Sequence, residues 1–230
     1  MTFEGLIFDF DGVLLESEYA GNAQMAAFLT EAGHPTRVED ALRHFTGLAG
    51  DAFVAAVERW IDAPLPAGFA EARDAEDQRA MREGLTEVAG AIAFVRSLPA
   101  DLPRAIASSS SSAWIRAHLD HLGLRDAFEP MIFSGREHVA NGKPAPDIYL
   151  HAAAAMDVPI ERCLIIEDSA VGAKGAVASG ATVVGLCAGT HCAPDHADML
   201  RSLGVQQIAH SFDEVATFLI SGESRSPAAG

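Results

Sequence analysis

Short apolar runs alternate along this chain with longer stretches of helical periodicity. The first run, Leu6-Ile7-Phe8, has no polar position to offer water, which predicts a strand buried on both faces of a parallel sheet. Similar runs at 103–108, 131–134, 162–168 and 181–186, with a weaker one at 205–209, predict further strands. Helical spacing fills most of the intervals, over 91–98, 112–122, 145–156, from 169 to 179, 194–203 and 212–220. Between the first strand and residue 85 no strand pattern occurs. Three or four helices are expected there instead, with helical spacing to about residue 31 and over 38–46, 50–61 and 68–84, Ser17 as N-cap of the first and Glu18 in its first turn. Strands alternating with helices imply an α/β fold with a doubly wound parallel sheet. The domains are then discontinuous: residues 1–16 and 86–221 form the sheet domain, 17–85 a helical insertion, and 222–230 a small, polar tail.

The first strand runs directly into Asp9, Asp11 and Gly12. Strand carboxyl ends are where open α/β sheets bind ligands, and an alternation of two would point both carboxylates into one crevice. Two acids so close need a cation or a shared proton; alternatively they cap a sharp turn at Gly12. Three later segments bear on that choice. The strand at 103–108 ends in Ser108-Ser-Ser-Ser-Ser112, where hydroxyls and free helix amides could receive a phosphate, or simply cap a helix. Lys143 stands between Gly142 and Pro144 on a stiff turn, able to hold a point charge near an anion. Glu167 and Asp168 close another buried strand.

Composition narrows the field. The chain has 230 residues, 49% of them hydrophobic, enough for a sizeable core, and a net charge of −16. That charge argues against a nucleic-acid or anionic-membrane partner, but permits a small anion at a site with its own cations. No stretch reaches the roughly 20 apolar residues of a membrane span, and the start lacks the basic segment of a signal peptide. With three cysteines, Cys163, Cys187 and Cys192, no disulfide framework is expected and a cytoplasmic setting is. Cys187, His191, Cys192 and His196 share one predicted loop. Their spacing matches no ordinary structural zinc finger, so an unligated loop is expected.

In this order, FDFDGVLLESE (8–18), IASSSS, GKPAPDIY and IIEDSAVGAKGA resemble the haloacid dehalogenase superfamily of aspartate-nucleophile phosphatases. The helical insertion after the first motif resembles the capped branch that holds small-molecule phosphatases and β-phosphoglucomutase. HAAAAMDVPIERCLIIEDS is most similar to phosphatases of sugar and sugar-acid phosphates. The resemblance implies a Rossmann-like core, a small phosphorylated substrate and Mg2+ bound by Asp9, the Asp11 carbonyl and Asp168, with Glu167 acting through water. It implies Asp9 as nucleophile and Asp11 as acid and base, and a phosphate cradle of Asp11, Gly12, Ser108, Ser109 and Lys143. Glu18, Tyr19, Asn22 and Gly47 are expected to contact substrate from the cap, whereas Leu15 and Phe45 are expected to pack.

The chain departs from the family at Glu16, where aspartate is usual. It also has Gly21 and Gly50 at positions where β-phosphoglucomutase uses a histidine and an arginine, which favours hydrolysis over the mutase alternative. A non-catalytic binding protein on the same fold is the alternative of another class. Monomer and homodimer are both compatible with the sequence.

Overall fold

The structure is a computed structural model that describes residues 3–46, 48 and 50–221. Its six strands are β1 (Gly5–Phe8), β2 (Arg104–Ser108), β3 (Ile132–Ser134), β4 (Cys163–Glu167), β5 (Thr182–Leu186) and β6 (Gln207–Ala209). They form one parallel sheet in the order β3-β2-β1-β4-β5-β6. The order reverses at β1, whose Ile7 pairs with Ala105 on one side and Ile165 on the other. A crevice therefore opens at its carboxyl end.

Alternation sorts the strand residues between two cores. Leu6, Phe8, Ile106, Leu164 and Ile166 join one apolar cluster with α5 (Ala91–Ser97), α6 (Ser112–Leu122) and α11 (Phe212–Ser221). There Phe8 meets Phe94 and Phe128 edge to face, at centroid distances of 6.1 and 5.4 Å. Ile7, Ala105, Ala107 and Ile165 join the other, under α8 (Asp147–Ala155) and α9 (Ala170–Ser179). The caps follow from the residues. Ser111 accepts from the Trp114 amide and Ser169 from the Gly172 amide, while Gly123 and Gly180 close their helices left-handed. Two short elements lie where no periodicity announced them, α7 (Arg125–Phe128) and a 3₁₀ turn at Ile160–Arg162. The remaining one in the sheet domain, α10 (His196–Ser202), starts two residues later than its pattern implied.

Among the described residues between β1 and α5 the named elements are all helices: α1 (Ser17–Glu31), α2 (Val38–Phe45), α3 (Gly50–Ile61) and α4 (Phe69–Glu83). They enclose a separate cluster of Met25, Leu29, Ala41, Phe45, Val57 and Phe69. Of α4 only Phe69 and Ala80 are buried, since its remaining faces are crowded with charge. The two connections to this cap are stitched together. The Glu16 amide donates to the Thr86 carbonyl and the Val88 amide to that of Leu14. Ser17 does not cap α1: Glu16 holds the cap position with no side-chain bond, because the Ser17 hydroxyl is committed to Asp11. No described helix is long and apolar enough to cross a membrane.

Candidate active site

Asp9 leaves β1 into the crevice and is 6% exposed. Its Oδ1 accepts from Lys143 Nζ at 2.7 Å, and the same ammonium donates to Glu167 Oε1, also at 2.7 Å. Glu167 and Asp168, at the end of β4, are fully or almost fully buried. Ligand oxygens of Asp9, Glu167 and Asp168 lie within 4.8 Å of one another. One ammonium thus serves three carboxylates. Burial and the neighbouring Glu167 push the Asp9 and Asp168 carboxyls well above their usual range, and Lys143 offsets only part of this. Burial alone would depress Lys143, but Asp9 and Glu167 outweigh it and hold the amine protonated.

The residues fit a hard divalent cation. All three donors are oxygens, and Asp168 Oδ1 is buried with no hydrogen-bond partner. Room for this carboxylate comes from Gly12, at φ +81°, where a Cβ would stand 2.1 Å from Asp168 Oδ2. Gly172 does the same for Glu167. Glu167 is further fixed by the Tyr149 hydroxyl at 2.9 Å and by the Ser169 amide and hydroxyl.

Asp11 is held differently. Ser17 Oγ and Trp114 Nε1 donate to its Oδ1 at 2.7 and 3.0 Å, and Ser110 Oγ to its Oδ2 at 2.6 Å. Ser108, 1% exposed, lies 3.5 Å from Oδ2 and accepts from the Ser110 amide, whereas Ser109 is exposed to the crevice. Asp9, Asp11, Ser108, Ser109 and Lys143 all line one cavity of about 410 Å³ between sheet and cap.

From the cap, Glu18, Gly21, Asn22 and Met25 line this cavity at i, i+3, i+4 and i+7 of α1. Tyr19, one step further round the helix, is 45% exposed and outside the lining, contrary to the expected substrate contact. Gly47 lies outside the described residues. Burial, with Asp168 and Asp11 nearby, raises Glu18 to about 7. Asn22 donates to the Glu18 carbonyl, and its Oδ1 is buried without a partner. Phe45 is buried in the cap cluster yet also lines the cavity, while Leu15 is wholly buried.

Sequence reasoning passed over several contributors. Trp114, Ser17, Ser110 and Tyr149 sit within ordinary helix or serine patterns. Arg73 comes from the charged run of α4, lines the cavity and lies 5.5 Å from the Phe53 ring centre; Arg136 lines it from the sheet side. Glu16 reaches Thr190, whose amide and hydroxyl both donate to its carboxylate.

A doubly wound sheet with buried acids and a lysine at its topological switch, roofed by helices, is the arrangement of an α/β enzyme with its site at the strand carboxyl ends. Residues 3–180 match the family model described as haloacid dehalogenase-like hydrolase. The chain belongs to that family, whose members typically use a divalent metal. It is 30% identical to fructose-1-phosphate phosphatase of Escherichia coli K12, over 79% of this chain and 95% of that one. With hexitol phosphatase A of the same organism it shares 29% identity over 94% of each. A solved haloacid dehalogenase-family hydrolase from Deinococcus radiodurans R1, with bound phosphate and sodium, superposes with a TM-score of 0.83 at 33% identity, covering 96% of this chain and 97% of that one. A haloacid dehalogenase-like protein of unknown function from Agrobacterium tumefaciens C58 gives 0.87 at 32%, covering 96% and 99%.

Proposed function

We propose that the protein is a Mg2+-dependent phosphatase of a small phosphorylated metabolite, of the sugar or sugar-acid phosphate class, working through an aspartyl-phosphate. The observation that carries this reading is the shared Lys143 ammonium between Asp9 and Glu167, beside Asp168 and across the same cavity from Asp11. Its relatives named for hexitol, fructose 1-phosphate and 6-phosphogluconate support the substrate class.

Asp9, the Asp11 carbonyl and Asp168 would hold the cation, with Glu167 behind them. When bound, it neutralises acidic oxygens and the phosphoryl group, making attack by an anion feasible. Asp9 attacks phosphorus in line, and the ester oxygen leaves with a proton from Asp11. Asp11 then takes a proton from water, which releases phosphate and restores Asp9. Lys143, Ser108 and the Ser109 amide bind the transferring oxygens throughout. Glu18, Asn22 and Arg73 face the remainder of the substrate, and the cap excludes water from the first half-reaction. Gly21 and Gly50 leave no side chain where a β-phosphoglucomutase carries the histidine and arginine of its mutase cycle.

Asp9→Asn should abolish phosphate release from p-nitrophenyl phosphate while the protein unfolds as cooperatively as before. Chelation by EDTA should silence the wild type, and Mg2+ should restore it. Turnover persisting in Asp9→Asn would reject the nucleophile. Conversion of β-glucose 1-phosphate to glucose 6-phosphate, without free phosphate, would favour the mutase.

A further inference from the structure

Behind the acidic floor, the loop after β5 folds back onto Asp168. His191 is 7% exposed, and its Nε2 lies 2.8 Å from Asp168 Oδ2 and 3.6 Å from Cys192 Sγ. The His196 ring stands nearly perpendicular to it at a centroid distance of 5.6 Å. One ligating atom each of His191, Cys192 and His196 falls within 4.8 Å of the other two. None of the three lines the substrate cavity. The loop is shaped for this approach: a Cβ on Gly189 would stand 2.5 Å from His191 Cε1, and the Cys192 amide bonds back to the Gly189 carbonyl. His196 Nε2 bonds the Asp168 carbonyl at 2.7 Å, which leaves its other ring nitrogen available.

We propose that His191, Cys192 and His196, with the Asp168 carboxylate as fourth donor, form a binding site for a zinc-class divalent ion that competes with catalysis for Asp168. Two imidazoles, a thiolate and a carboxylate are a tetrahedral zinc set, and a poor one for Mg2+, which prefers oxygen and octahedral geometry. Zinc bonds of about 2.0 Å to nitrogen and about 2.3 Å to sulfur at a tetrahedral angle place those donors about 3.5 Å apart, close to the spacing of His191 Nε2 and Cys192 Sγ. On binding, the Cys192 thiol gives its proton to solvent, and the His191 Nε2 proton moves to Nδ1, which is buried without a partner. The spacing in sequence matches no structural finger because the fourth donor comes from β4 and the site is built on a functional residue. The inhibitory consequence rests on the phosphatase reading; binding itself does not.

Cobalt(II) is the probe. Titrated into chelator-stripped protein, it should give one equivalent of a tetrahedral spectrum with a thiolate-to-cobalt charge-transfer band. Zinc should displace it stoichiometrically, and excess Mg2+ should not. The band should vanish in Cys192→Ser and persist in Cys187→Ser and in Asp9→Asn, since the acidic floor contains no sulfur. Zinc inhibition, measured against each variant's own zinc-free rate, should weaken at least tenfold in Cys192→Ser and His196→Ala. Absence of the band, or its survival in Cys192→Ser, would overturn the site. Equal zinc inhibition in all variants would overturn the competition for Asp168. An intact band in a protein that hydrolyses no phosphate ester would reject the phosphatase reading and leave the metal site standing.

Discussion

Replacing Gly172 by alanine separates local helix preference from the architecture of the site. Gly172 lies in the first turn of α9, where alanine by propensity alone would stabilise by up to about 1 kcal/mol. Its added Cβ, however, would lie 1.6 Å from Glu167 Oε1, 2.1 Å from Cδ and 2.5 Å from Oε2. The carboxylate cannot swing aside cheaply. Oε1 accepts from Lys143 and Tyr149, Oε2 accepts from Ser169, and the residue is wholly buried. Displacing it strains or breaks these bonds, each worth roughly 1.5–3 kcal/mol because one partner is charged. Overpacking costs a further ~1–3 kcal/mol. After the helix gain, a net loss of about 2–4 kcal/mol is expected in urea unfolding, with kcat down at least a hundredfold as Lys143 and Asp9 lose their register. Circular dichroism through a urea series and steady-state turnover of p-nitrophenyl phosphate measure both. A variant as stable and as active as the wild type would refute the claim that Glu167 is immobile.

Other substitutions test single contacts. Trp114→Phe removes one of four side-chain donors to Asp11, so kcat should fall about tenfold with KM little changed; unaltered kcat would dismiss the indole. Lys143→Met leaves three buried acids unneutralised and should cost about 3–5 kcal/mol near pH 7. Because Asp9 and Asp168 are already raised in the folded state, it binds more protons than the unfolded chain, and the deficit should shrink as pH falls. His118 works in the opposite direction. Its ring is wholly buried against Trp114, and burial lowers it to about 4, so the unfolded chain takes up the proton first. Wild-type stability should therefore fall between about pH 6.5 and 4 by ~2 kcal/mol, allowing for water near the crevice. His118→Leu should flatten that limb, and an unchanged slope would remove His118 as its cause.

What could be read from the sequence was whatever lay at a strand end or on a stiff turn. Asp9, Asp11, Ser108, Lys143, Glu167 and Asp168 interrupt buried runs or stand beside Gly and Pro, so their chemistry shows against the pattern. Their partners do not. Tyr149 and Trp114 follow helical periodicity, and no spacing reveals which helical residue faces a carboxylate some 18 or 103 positions away. Arg73 hides in a charged run whose other members are solvated. Tyr19 failed as a crevice residue because neighbours on a helix diverge by about 100°. The Ser17 cap failed because a tertiary carboxylate outcompeted two backbone amides for one hydroxyl. The cysteine and histidine spacing pointed to an unligated loop, and the ion site proposed above rests on Asp168, a donor that spacing within one loop omits.

Glu16 gives these features a mechanical link. Its carboxylate, one carbon longer than the aspartate usual there, reaches from the root of the cap to Thr190, next to His191. The roof and the histidine loop thus share a tether, so whatever stiffens the loop also stiffens the connection from β1 into α1. Product would then leave more slowly from a protein whose loop is pinned. Glu16→Asp would slacken that tether and let the lid run at its own pace.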